Sequence, residues 1–291
     1  MRHISGLTGL GIVSRLRESY ETAKLGDTML RVLLLLATII LPMPLSAQSL
    51  PAGCEANFAD STLPTVDTKH STQSQTLCYR QFAILHSALT KTPIWSAEHL
   101  TSQRVGAASA VARKGTFHAE RRVPAADRAD LTDYKGSGYD RGHMSPSGDM
   151  PDAASQQESF SLANMVPQAP CNNEVIWEQI ESAVRGYVTA GHDVFVVTGP
   201  IYDGATVATI GSNVAVPTRI FKAIYEPKSG QAGVYVTAND NEVSEYATFT
   251  LAELQEHTGI DAFPSAPSAT KGRAMELPPL SAPHHACRAA R

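Results

Sequence analysis

The stretch that decides the fold opens with Asp140-Arg141-Gly142-His143. After twenty further residues it continues as Asn164-x-x-Pro167-Gln168-x-x-x-x-Asn173-x-x-x-Trp177-x-x-x-Glu181. The first run offers a cation and a base, and the second a neutral oxygen ligand and a carboxylate. Metal-assisted cleavage of a phosphodiester calls for this set of groups. At 3.6 residues per turn a step of four rotates only about 40° around a helix axis, so Asn173, Trp177 and Glu181 are predicted to share one helix face. Such a stripe presents one oxygen to a metal directly and another to the metal's water shell. Magnesium suits it, because it keeps several waters and takes few protein oxygens.

Working outward, Pro167 and Pro170 disfavour an earlier helix start, Asn172 or Asn173 is placed to cap it, and Gly191 ends it. Ile176, Ile180, Val184 and Val188 set its inward face. Beyond it, Asp193–Pro200, Ile220–Tyr225 and Gly233–Thr237 read as strands, and Thr250–Gly259 as a helix with a threonine cap and a terminal glycine. The charged stretch from Arg113 to Gly138 reads as mostly surface loop. Helices mixed with extended segments in this way indicate an α+β domain, a mixed or antiparallel sheet with flanking helices, over residues 48–265. Proline, alanine and serine dominate after Pro264, so residues 266–291 are expected to form a loosely ordered tail.

At 291 residues, 43% of them hydrophobic, the chain is long enough to bury a sizeable core. Within residues 29–47, Arg31, a leucine-rich run to Leu41 and the exit Leu45-Ser46-Ala47 describe a secretory signal peptide cleaved after Ala47. Pro42 and Pro44 break the apolar run before it reaches a membrane span. Residues 1–28 form an upstream extension without identifiable chemistry. Removing residues 1–47 takes away Arg2, Arg15, Arg17, Lys24 and Arg31 against Glu18, Glu21 and Asp27. That leaves 19 basic and 25 acidic residues, a net charge of -6 against -4 for the whole chain. The mature protein is therefore no general electrostatic sponge for nucleic acid. Binding would depend on a local cleft around Arg113, Arg121, Arg122, Lys135 and Arg141. All four cysteines follow the signal and would meet an oxidising secreted or periplasmic compartment. Cys54 and Cys78 are the preferred disulfide, whereas Cys171 and Cys287 could pair or stay reduced.

An ordinary histidine in a loop is a surface or core residue about four times in five, since histidines are intermediate in burial and seldom catalytic. Context reverses that balance for His143, whose ordinary pKa also suits taking a proton from water near neutrality. Asp140 or a nearby carbonyl is placed to orient its ring. The two motifs together resemble the DNA/RNA non-specific endonuclease family, the ββα-metal or His-metal finger nucleases, over about residues 75–265. The resemblance implies His143 as general base, Asn173 as the direct ligand to magnesium (or manganese), and Glu181 as holder of metal-bound water. It implies Arg141 as the phosphate-neutralising cation and Asn164 as a hydrogen-bonding support of the site. Arg113 matches a further phosphate-binding arginine. It also implies DNA and RNA as substrates, and family members are often homodimers.

Bland readings stand beside these. For Asn173 a helix cap is ordinarily the favoured account, about two to one, and one residue can do both jobs; Trp177 reads as core packing ahead of a stacking platform, and Arg185 is balanced between a phosphate contact and an ion pair with Glu181 four residues earlier. Two other functions compete with a nuclease: a non-catalytic nucleic-acid-binding protein on the same fold, and a phosphodiesterase for small nucleotides.

Overall fold

In the computed structural model, residues 53–69, 71–281 and 287 are described. The upstream extension, the signal segment with its cleavage point, and the His284-His285 pair lie outside the described residues. The strands used below are, in chain order, β1 (Ser74–Cys78), β2 (Phe82–Ser87), β3 (Pro93–Leu100), β4 (Asp140–His143), β5 (Met165–Gln168), β6 (Val194–Ile201), β7 (Arg219–Glu226), β8 (Gln231–Ala238) and β9 (Ala247–Phe249). The helices used below are α1 (Ser102–Ala108), α2 (Ala153–Ser159), α3 (Glu178–Thr189) and α4 (Leu251–Thr258). Seven strands form one sheet in the order β9-β8-β7-β6-β3-β2-β1, with every neighbouring pair antiparallel.

Both faces of that sheet are covered. Along β7, Phe221, Ala223 and Tyr225 point to a core shared with Trp95, Val197 and the α4 residues Leu251 and Leu254. Ile220 and Ile224 point to the opposite core, with Val194, Val196 and the helix residues Ile176, Ile180, Val184 and Val188. Two dry faces explain why β2 and β7 read as almost unbroken apolar runs rather than alternating ones. The predicted inward face of the long helix is correct at all four positions. α4 also forms as expected: Thr250 and Glu253 make a reciprocal capping box, and Gly259 closes it at φ 70°.

Between Arg113 and Gly138 the chain is an organised loop carrying the short helices Ala125–Asp127 and Leu131–Tyr134. The expectation of a loose tail is corrected for residues 266–281. Met275 and Leu277 are buried against the α3 core, the Met275 amide donates to Ala232 O at 2.7 Å, and Tyr235 Oη donates to Pro278 O. Proline-rich composition hid these two apolar anchors. Both cysteine pairs are bridged, Cys54–Cys78 and Cys171–Cys287, and the second ties the tail to the chain just before Asn173.

Because the second bridge spans 116 residues, it restrains a large part of the unfolded ensemble. The double substitution Cys171→Ser/Cys287→Ser is expected to lower unfolding free energy by about 2–4 kcal/mol. Denaturant titration checks this, and an unchanged midpoint would count against a structural role for the bridge.

Candidate active site

Strands β4 and β5 pair antiparallel with Asp140 opposite Gln168 and His143 opposite Met165, and the chain then turns into the helix that carries Asn173 and Glu181. Gly142 is required by this pairing: a Cβ there would meet Gln168 Oε1 at 1.8 Å. Asn164, fully enclosed, fastens the turn after His143. Its amide nitrogen donates to Ser145 O at 2.8 Å and Ser159 O at 2.9 Å, and its oxygen accepts from Ser145 N at 3.0 Å and from the Ser96 hydroxyl of β3 at 3.3 Å. Asn164 thus lies beneath the loop that follows His143 and does not line the cleft.

The helix departs from the predicted straight stripe. Its first turn starts at Pro170, earlier than expected, since a proline tolerates the first helical position. Residues Asn172–Trp177 then form a π-helical turn before α3 begins. Neither asparagine caps the helix. Asn172 is buried and bonds Gln168, Thr237 and Ala238, while Asn173 donates from its amide nitrogen to Asp140 Oδ2 at 2.9 Å. The wide turn moves Trp177 off the stripe into the core, 1% exposed. The cleft instead receives Asn173 and, five residues on, Glu178, followed by Glu181 and Arg185. A π-turn inside an α-helix often marks a functional position, and a count of four-residue steps cannot reveal one.

A carboxylate only accepts, so the amide of Asn173 must turn its nitrogen to Asp140 and its oxygen the other way. Among the described residues no donor reaches that oxygen, and Asn173 lines the cleft. Asp140 therefore orients Asn173, not the His143 ring, which corrects the sequence reading.

His143 is 7% exposed and sits between two phenylalanines, Phe160 edge-on at 5.0 Å and Phe117 at 5.7 Å. Nε2 is enclosed without a partner, which leaves Nδ1 as the nitrogen at the cleft. Burial, reinforced by the charge of Arg113, lowers its pKa to about 3, so the ring is neutral and proton-accepting at neutral pH. The same rings carry the arginines: Arg141 lies 4.2 Å over Phe117 and Arg113 5.4 Å over Phe160. Phe160 had no sequence signal, being far from both arginines along the chain.

The cleft holds about 410 Å³, and Arg113, Arg141 and Arg185 are its cations. Arg121, Arg122 and Lys135, expected to join them, do not line it. Arg122 is instead engaged with Glu120 and stacked on Tyr79. Arg185 donates to Asp149 Oδ1 at 3.1 Å and stands 3.9 Å from Glu181 Oε2. Burial raises the Glu181 carboxyl to about 7, Asp149 adds to the rise, and Lys222, Arg185 and Arg113 oppose it. A cluster of three or more His, Cys, Asp or Glu side chains around one point is absent among the described residues. The amide oxygen of Asn173, turned away from Asp140, is a hard neutral donor that would fit a divalent cation here.

A sequence profile for DNA/RNA non-specific endonucleases matches residues 59–269, and the chain belongs to that family. It is 33% identical over 166 residues to Nuclease C1 of Cunninghamella echinulata var. echinulata, covering 53% of this chain and 66% of that protein. Against the mitochondrial nuclease EXOG of Xenopus laevis it is 33% identical over 208 residues, covering 64% of this chain and 57% of the relative. A nuclease of Nostoc sp. (strain PCC 7120 / SAG 25.82 / UTEX 2576) is 31% identical over 210 residues, covering 67% of this chain and 75% of the relative. The first two matches thus span less than two thirds of those relatives. The solved EndoG/EndoGI complex aligns with a TM-score of 0.59 at 28% identity, covering 65% of this chain and 86% of that one.

Because the folded state favours protonated Glu181, it binds more protons than the unfolded chain between its ordinary pKa of 4.5 and about 7, and stability falls as pH rises through that window. Glu181→Gln removes the penalty. In metal-free protein, the melting temperature of the variant relative to wild type is expected to climb from about pH 4 to about pH 8. A difference independent of pH would sink this account of the buried carboxyl.

Proposed function

We propose that the chain is an exported, magnesium-dependent endonuclease that hydrolyses phosphodiester bonds of DNA and RNA with little sequence preference. The observation that carries this reading is the convergence in one cleft of a neutral His143, the outward amide oxygen of Asn173, the cations Arg113 and Arg141, and Glu181. Export is supported by the sequence between Arg31 and Ala47 and by two disulfides. Among the described residues no helix is long and apolar enough to cross a membrane.

Asn173 Oδ1 would hold the metal, with Glu181 accepting hydrogen bonds from its waters. When bound, magnesium would neutralise charge on the phosphate and on the departing oxygen. His143 Nδ1 takes the proton from the attacking water, for which the ring's own proton must reside on Nε2. Arg141 and Arg113 hold non-bridging phosphate oxygens through charged hydrogen bonds. A phosphate placed against Arg113 also offsets part of the charge that weakens His143, so the base strengthens when substrate arrives. Contacts of this kind hold the phosphate and carry no sequence information, which favours sequence tolerance.

Purified chain starting at Gln48 is expected to degrade both supercoiled plasmid and RNA with magnesium and neither with chelator. His143→Ala should be inactive yet fold normally, and Asn173→Ala should regain only part of its activity at high magnesium. Binding without cutting by wild type would favour the non-catalytic alternative, and turnover of a dinucleotide analogue alone would favour a small-nucleotide phosphodiesterase.

A further inference from the structure

We propose that Asp149 is a positioning residue that fixes the Arg185 guanidinium on the cleft wall, where Arg185 takes a substrate phosphate; this rests on the nuclease reading above. Asp149 lies six residues beyond His143, in the short turn Ser147–Asp149, and is 3% exposed. Arg104 of α1 holds that turn from behind. It donates from Nε to Asp149 O at 2.9 Å, from Nη1 to Gln81 O at 2.8 Å and His99 O at 2.7 Å, and from Nη2 to Glu98 Oε2 at 2.8 Å. With its backbone held there, the Asp149 side chain accepts from Arg185 Nη1 at 3.1 Å, across the gap between the His143 loop and α3.

On the other side, Arg185 Nη2 donates to the Ser182 hydroxyl at 3.0 Å, and that hydroxyl donates to Glu178 Oε1 at 2.8 Å. Gly148 leaves room for the guanidinium, since a Cβ there would come within 3.3 Å of Nη1. A guanidinium has five N–H donors, and among the described residues two hydrogen bonds engage it. The remaining donors belong to a side chain that lines the cleft alongside Arg113 and Arg141. A partner buried elsewhere would make Asp149–Arg185 an ordinary internal ion pair. Here one partner is enclosed and the other borders the substrate's space. Without the Asp149 carboxylate, Arg185 would be free to close on Glu181, its neighbour one turn earlier at 3.9 Å, and would turn fewer of its donors to a phosphate.

The test is a double-mutant cycle of Asp149→Asn and Arg185→Met, read in turnover of a single-stranded oligonucleotide with magnesium and in its binding, by anisotropy, with chelator. Each single variant is expected to lose about tenfold in kcat/KM, chiefly through KM, and to flatten the dependence of log affinity on log salt by about 0.7, one phosphate contact on a single strand. The double variant should be no worse than Arg185→Met alone. Additive losses, or an Asp149→Asn variant with wild-type KM and salt slope, would overturn the proposal. Should Asp149→Asn lose its melting transition, Arg185→Lys, which keeps the charge but gives up the paired hold on Asp149 and Ser182, is expected to show the same KM-weighted loss, and a wild-type KM there would overturn it too. Wild type that binds without cutting sinks the nuclease reading alone, because the cycle still reads out in binding; wild type that does neither overturns both.

Discussion

The side chain of Asn164 is the fixed point on which this architecture turns. It is wholly enclosed and uses both atoms of its amide, meeting the Ser145 backbone from two sides, the end of α2 through Ser159 O, and the main sheet through Ser96. One residue therefore joins three pieces of chain that have no regular secondary structure in common. Leaving any of these groups unpaired in a dry interior costs about 1–3 kcal/mol, so the turn after His143 has a single low-energy course. The histidine inherits its position from that course.

Beneath the cleft the core is charged, which is unusual for a sheet with two dry faces. Glu98 of β3 is fully buried, burial and Asp149 push its carboxyl above the usual carboxylate range, and Arg104, paired with it, opposes that rise. Lys222, on the interior strand β7, is 2% exposed, donates to Thr198 at 2.9 Å and lies 5.5 Å from the Trp177 ring. Trp177 is the residue that the π-turn withdrew from the cleft, so the same distortion that presents Asn173 also puts an aromatic face over an internal cation. Charges of both signs held this way cost solvation that packing alone would not incur. Their place directly under Glu181 and Asp149 ties that cost to the site rather than to the fold.

Much of this was legible in the sequence, for identifiable reasons. The apolar positions Ile176, Ile180, Val184 and Val188 keep a helical period, so the face of α3 could be read even though its start could not. Thr250 and Gly259 announce the two ends of α4 by residue type alone. The Asp140–His143 run and the later Asn173 and Glu181 come together as expected, because each belongs to a short element whose order along the chain is also its order in space. What escaped reading depends on contacts between distant segments: Phe160 against His143, Asp149 against Arg185, Asp140 turned to Asn173 rather than to its close neighbour in sequence. The π-turn escaped for a different reason, since one extra residue in a helical repeat leaves no mark in composition.

The bridge between Cys171 and Cys287 closes a covalent ring around almost the entire second half of the chain. Within that ring the turn from Asp203 to Thr209 is exposed throughout, the kind of surface stretch where proteases nick folded proteins. A cut there would leave both fragments joined through the bridge, with the strands on either side still paired in the sheet. In a protease-rich extracellular setting the molecule would then persist as a two-chain protein, indistinguishable in mass from the intact form, apart from the added water, until its thiols are reduced.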